Sequence, residues 1–411
     1  MNYTIRILAI LFISIRVLYA QSAGWSVQST HTAVNLHGIA SSGFNTWIAV
    51  GDAGTILRSS DEGNQWAAIA SPVGDDLRGV SFSGSIGLAV GIAGRVLRST
   101  DSGLSWIEEN RPTTKSLYSV SLGNRLAVIG GEEGTILVSL DEGLTWTPHT
   151  AGTASVIFGV SVNDTTAVGV GGQGAVIMSV DHGRGWGLTV LGNQLTFFYS
   201  TSFINGSTGW AVGSSASTGN LIIHSTDYGF VWTGQTSPTS EQLFGVSFTT
   251  IDSGWAVGSN GTIIRTTNGG ANWLNDSSGR SQTFNAVSFA DSHIGIVVGD
   301  GGTILRTTTG GTVSVAADVQ TSLPEHFTLD QNYPNPFNPS TNISFSVGTI
   351  SPTSLRVFDV LGREVATVFS GTLSAGSYTK QWNAEGFPSG VYFYRLQAGS
   401  LSETKKLLLI K

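Results

Sequence analysis

One eight-residue phrase, returning at a near-constant interval, constrains this chain more than any other feature. Ser59-Ser60-Asp61-Glu62-Gly63-Asn64-Gln65-Trp66 recurs at 99–106, 139–146, 179–186 and 225–232, and in weaker form from Thr266 to Trp273. The tryptophans are spaced by 40, 40, 40, 46 and 41 residues. A seventh copy opens at Thr307, but Ser314 stands where its tryptophan should fall. Two other segments travel with the phrase. One is an apolar strand, Leu77-Arg78-Gly79-Val80-Ser81-Phe82, echoed at 243–248 and 284–289; the other is a small-residue strand such as Trp210-Ala211-Val212-Gly213. With a third strand (Thr55-Ile56-Leu57-Arg58) and the tryptophan-bearing one, each unit holds four short strands. Four strands in ~40 residues is the arithmetic of a β-propeller blade.

The chain contains six complete units and one lacking its last strand. Gly24-Trp25-Ser26-Val27-Gln28 matches the missing piece, so residues 24–30 are expected to complete blade seven and latch the ring. Closure also removes sheet edges that invite aggregation. The expected fold is all-β: a seven-bladed β-propeller over 24–311, then a small immunoglobulin-like β-sandwich. Composition agrees, since charged residues make up only 11% and glycine supplies 54 positions, against ~25% and ~7% for average chains.

The repeated turn resembles the Asp-box, or bacterial neuraminidase repeat. In such a turn the aspartate accepts main-chain N–H bonds, glycine supplies positive φ, and tryptophan packs between sheets. Asp61, Asp101, Asp141, Asp181 and Asp227, with Trp66, Trp106, Trp146, Trp186 and Trp232, are therefore read as structural staples rather than a row of acids. Through its GWAVG and GTILRTT elements, the whole of 24–311 resembles the photosystem II assembly or stability factor family.

Residues 312–326 hold neither tryptophan nor repeat and read as a linker. From Phe327 the pattern changes. Pro334, Pro336 and Pro339 exclude helix, and alternating segments such as 354–359 and 390–396 follow, as in a small sandwich. Asn335-Pro336-Phe337-Asn338-Pro339-Ser340-Thr341, the 360–364 turn, Trp382-Asn383, 388–392 and the terminal Lys405-Lys406-Leu407-Leu408-Leu409-Ile410-Lys411 carry a second likeness. In order and spacing they resemble the type A C-terminal sorting domain of the type IX (Por) secretion system. That resemblance implies recognition of 327–411 by the outer-membrane secretion machinery. It also implies a product secreted or attached to the outer cell surface.

The N-terminus is consistent with that route. Arg6, the apolar run Ile7–Ile15 and small Ala20 before Gln21 read as a signal peptide over 1–20. Arg16 interrupts the apolar run, and no segment reaches the ~18–20 residues that spanning requires. A role in photosynthesis is not implied for a chain sent outside the cell.

The formal charge is −7. Residues 21–311 hold 11 basic and 20 acidic side chains, a net of −9. An acidic body repels phosphate backbones, so nucleic acid is not expected as a partner. With no cysteine, and no histidines at ligand spacing, no metal site or other cofactor is expected. No catalytic residue is assigned.

Arg58, Arg98, Arg265 and Arg306 occupy one repeat position on the third strands of blades one, two, six and seven, which are neighbours once the ring closes. They are the candidate binding residues, a docking patch for an anionic segment. Reversing Arg98 and Arg306 is then expected to abolish capture and leave the fold intact. The other reading has each stem covering apolar surface while its head pairs with an acid. The expected function is an exported module, monomeric, that binds protein or glycan. The alternative is a secreted glycoside hydrolase of sialidase or endoglucanase type. For that alternative the turns between second and third strands offer Asp52, Glu132, Glu133 and Asp300, with Asp52 and Asp300 a candidate carboxylate pair on neighbouring blades one and seven, although the turns are short.

Overall fold

The computed structural model describes residues 24–43, 45–217, 219–312, 327–347, 351–373, 376–399 and 401–410. The leader at 1–20, and the linker beyond Thr312, lie outside the described residues. The chain divides into two units, Met1–Val315 and Ala316–Lys411. Among the described residues no helix is long and apolar enough to cross a membrane.

The first unit is built of seven four-stranded antiparallel sheets. Blade one runs Leu36–Ser41, Trp47–Gly51, Ile56–Ser59 and Ala67–Ile69 from the axis outward. Blades two to six repeat this order. Blade seven takes three strands from the end of the repeat, Phe284–Phe289, Gly295–Gly299 and Ile304–Thr307, and its fourth from Ser26–Val27. Ser26 pairs with Arg306 and Val27 with Leu305, and the Gln28 N–H donates to the Ile304 carbonyl at 2.9 Å.

Trp25 packs as its repeat position demands. It meets Phe289 edge-on at 5.8 Å, as Trp106 meets Phe82 (5.7 Å), Trp232 meets Phe203 (5.9 Å) and Trp273 meets Phe248 (5.8 Å). The ring is thus closed by a copy of its own internal contact.

The cores lie between blades. Second strands such as Trp47–Gly51 and Gly254–Gly258 are buried along their whole length, because a blade is covered on both faces. Leu36, Trp47, Leu57 and Trp66 of blade one pack with Ile296, Val298 and Ile304 of blade seven. Burying each large side chain contributes roughly 1.5–3 kcal/mol. Charge has no place on such strands, which accounts for the sparse ionisable residues.

The second unit has two sheets. One holds Thr328–Leu329, Ser340–Val347 and Gly376–Asn383; the other runs Glu364–Leu373, Ser351–Phe358, Gly390–Ala398 and Leu401–Leu409. They share one core around Ile343, Phe345, Leu355, Trp382, Tyr394 and Leu407. The proline-rich segment is pinned to the last strand. The Phe337 N–H donates to Leu408 O and the Ile410 N–H to Phe337 O, both at 3.0 Å, and the Leu408 N–H donates to Asn335 Oδ1 at 2.9 Å. The Tyr394 hydroxyl donates to Asp330 O at 2.6 Å and accepts from the Asn332 N–H at 2.9 Å, while burial pushes its pKa up to about 12. Two motifs far apart in sequence therefore form one joint.

Candidate binding site at the channel mouth

Each aspartate of the repeated turn closes the same small circuit. At Asp61, Oδ1 accepts from the Gln65 N–H at 2.9 Å and the Ser59 hydroxyl at 2.8 Å; Ser59 Oγ in turn accepts from the Gly63 N–H at 2.9 Å. The Trp66 indole N–H donates to Gly63 O at 3.0 Å. The main-chain bond to Oδ1 recurs at 2.9 Å for Asp101, Asp141, Asp181 and Asp227. Blade six makes the circuit with an amide, Asn268 Oδ1 accepting from the Asn272 N–H at 2.9 Å. These carboxylates are engaged with their own turns.

Three of the four arginines are tied between blades. Nε–H of Arg58, Arg98 and Arg306 donates to the carbonyls of Ser102, Glu142 and Glu62, at 3.0, 2.9 and 2.7 Å. Each acceptor is the residue after the aspartate in the next blade's turn, and each has positive φ. Arg98 and Arg306 also face the carboxylates of Glu142 (3.8 Å) and Glu62 (3.2 Å). Arg265 differs: it bonds Asp276 Oδ1 at 2.9 Å within its own blade. Burial pushes Asp276 up to about 6 against the pull of Arg265. The geometry weighs against the expectation that reversing Arg98 and Arg306 spares the fold. Arg98 is only 8% exposed, and a carboxylate in its place would meet a carbonyl and Glu142.

A different set of residues converges on the axis. In every blade the innermost strand carries a β-bulge, at its second residue in six blades and at its fourth in blade five, where pairing skips from Leu36 to Gly38, Leu77 to Gly79, Leu117 to Ser119, Ile157 to Gly159, Phe198 to Ser200, Leu243 to Gly245 and Phe284 to Ala286. Bulges re-aim the side chain they carry. The skipped residues are His37, Arg78, Tyr118, Phe158, Tyr199, Phe244 and Asn285, one per blade, all half-buried. Six of them line an axial cavity of about 230 Å³, and Phe158 stands between Tyr118 and Tyr199.

Small residues after the bulge let the blades approach. A Cβ on Gly159 would stand 2.9 Å from Ser200 Cα. Serine hydroxyls then bridge neighbouring inner strands, Ser81 Oγ accepting from the Leu122 N–H at 3.0 Å and Ser161 Oγ from the Phe203 N–H at 3.1 Å.

The mouth has two unlike halves. Blades three to six present an aromatic arc: Tyr118–Phe158 and Phe158–Tyr199 centroids are 5.5 Å apart, and Tyr199–Phe244 are 5.2 Å apart. Blades seven, one and two present polar groups already paired. His37 Nε2 lies 2.6 Å from Asp52 Oδ1 and 2.9 Å from Arg78 Nη1, Arg78 Nη2 donates to Asp76 at 2.8 Å, and Asn285 donates to Asp300 at 2.9 Å. Asp52 and Asp300, weighed above as a carboxylate pair, thus each hold a ring residue of their own blade. Glu132 accepts from the Ser116 N–H at 2.9 Å and the Tyr118 hydroxyl at 3.3 Å; Glu133 pairs with Lys115 at 2.8 Å. Among the described residues no group of three or more histidines and acids is placed to hold a metal.

Sequence reading passed over this ring, although its signal was present. In an otherwise uniform strand motif, the second position changes from His to Arg, Tyr, Phe, Tyr, Phe and Asn. A position free to vary beside one that stays small (Gly, Ser or Ala) and one that stays β-branched (Val, Ile or Thr) is one facing something other than the core.

Comparison with known proteins gives two family matches. The model for photosynthesis system II assembly factor YCF48 matches residues 17–166 and 224–331, and that for the secretion system C-terminal sorting domain matches 331–411. No curated protein matches the chain. Similar solved structures include YCF48 bound to D1 peptide, at 20% identity and TM-score 0.58, covering 70% of this chain and 97% of that one. YCF48 from Cyanidioschyzon merolae is 21% identical, with TM-score 0.58, covering 70% of this chain and 98% of that one. The WD40 propeller domain of Doa1 is 11% identical with TM-score 0.56, covering 69% and 96%. These likenesses show the propeller fold.

Proposed function

The chain belongs to the photosynthesis system II assembly factor YCF48 family, and on that premise we propose that it is an exported binding module holding a segment of another protein at the channel mouth. Its sorting domain marks it for secretion and the cell surface. The observation that carries the binding reading is the ring of bulge residues, one from each blade, six of which line a single axial cavity while Phe158 packs between two of them. A relative of the same fold has been solved with a peptide bound, which supports a peptide over a small molecule. The arginine row we assign to the scaffold, since its Nε–H groups are taken by carbonyls and a carboxylate.

Crosslinking of the tagged full-length chain on intact cells, with Tyr199→Ala and Phe244→Ala beside it, tests the reading. The expected result is one dominant protein partner lost from both variants. A partner retained by both, or turnover of a fluorogenic sialoside or β-glucan by the unaltered chain, would overturn it; the latter outcome would favour the hydrolase.

A further inference from the structure

We infer that the aromatic half of the mouth takes a cationic side chain, a lysine or arginine of the bound segment. This rests on the peptide-binding reading above and adds the chemistry of the occupant.

Four observations carry it. First, Tyr118, Phe158, Tyr199 and Phe244 form a continuous wall, with each ring edge- or tilt-packed on the next. Ring faces are electron-rich and attract ammonium or guanidinium groups within ~6 Å. Second, the wall is flanked by carboxylates with neutral hydrogen-bond partners. Glu132, at the Tyr118 end, accepts from the Ser116 N–H and the Tyr118 hydroxyl; Glu241, two residues before the inner strand of blade six, accepts from Ser259 Oγ at 2.7 Å and Asn260 Nδ2 at 2.9 Å. These donors, with a smaller pull from Lys115 on Glu132, hold both carboxyls below the usual range, so both are ionised at neutral pH. Third, cations of the protein's own are engaged elsewhere. Lys115 pairs with Glu133, and Arg78, the ring's permanent cation, pairs with Asp76. Fourth, the propeller region is acidic, so a cationic segment is drawn toward it from a distance. An anionic segment would meet Glu132 and Glu241, while Lys115 and Arg78 are already paired with Glu133 and Asp76.

The test is calorimetric titration of the full chain with three capped pentapeptides, Ac-GGKGG-NH2, its Nε-acetylated form and Ac-GGEGG-NH2. Lysine peptide is expected to bind at least tenfold more tightly than acetylated or glutamate peptide. Raising salt from 50 to 500 mM, or making Glu132→Gln, should each weaken it at least threefold, and Tyr199→Ala more. Glu132→Gln keeps the shape and one acceptor oxygen for the Ser116 N–H, while its amide NH2 can donate to the Tyr118 hydroxyl, so its effect separates charge from folding. Equal binding of lysine and acetyl-lysine peptides, indifference to Glu132→Gln, or no lysine-peptide binding at millimolar concentration would overturn the cationic assignment. Equal binding that Tyr199→Ala still abolishes would leave peptide binding at the mouth standing. Binding indifferent to Tyr199→Ala would remove both.

Discussion

Arg306 and Glu62 are 244 positions apart in the chain, yet the Nε–H of one donates to the main-chain carbonyl of the other at 2.7 Å. The bond crosses the join between blade seven and blade one, and Arg58→Ser102 and Arg98→Glu142 repeat it at the next two joins. Hydrogen bonds to charged groups contribute roughly 1.5–3 kcal/mol each. Arg98→Ala should therefore lower stability by about 1–3 kcal/mol, and the double reversal Arg98→Glu with Arg306→Glu by more than either alone. Urea midpoints check this. A double variant with an unchanged midpoint would remove the arginines from the scaffold.

The latch makes a sharper prediction. Trp25 is 3% exposed and fills the place of the tryptophan missing near 314. Trp25→Ala should cost about 3–5 kcal/mol, the usual range for a large aromatic lost from a core. Limited proteolysis should then cut first in blade seven.

Acidity acts on this propeller in two directions. Gln65 and Ser59 hold the Asp61 carboxyl below its usual value, as the Gly185 N–H does for Asp181. Their contribution is complete above the unfolded value near ~3.9 and is lost as pH falls through the lowered folded value. Asp276 works the other way. Its folded value is about 6, above the unfolded one, so the folded state binds more protons between ~4 and 6. Stability from this group falls as pH rises across that window. Asp276→Asn should flatten the slope of melting temperature between pH 4 and 6, and Asp61→Asn the slope below pH 4. Blade six already uses Asn268 in that turn, so the amide fits.

Export should depend on the joint inside the tail. Phe337 is 3% exposed and its main chain is bonded to both Leu408 and Ile410. Phe337→Ala is expected to reduce the surface-exposed fraction, and deletion of 327–411 to leave the chain in the periplasm. Cell fractionation reads both. Undiminished export after the deletion would contradict the sorting role.

What the sequence determined was whatever repeats. The forty-residue interval, the Asp61-type turns and the stray Trp25 specified seven blades and their closure, because each is a local pattern that recurs or is conspicuously missing. The proline-rich and lysine-ending motifs likewise specified the tail. What tertiary structure decided is where single residues point. Asp52 and Asp300 read as a possible pair of acids; each is held to a different ring residue, His37 and Asn285. Arg58, Arg98 and Arg306 read as a docking patch or as cover paired with acids, whereas their Nε–H acceptors are main-chain carbonyls one blade away, which no side-chain pattern announces. The ring from His37 to Asn285 draws on seven strands spread over some 250 residues. A one-residue bulge in each strand turns those side chains to the axis. Periodicity reports which face of a strand is buried; only closure of the ring brings such positions from all seven blades together, six of them around one cavity.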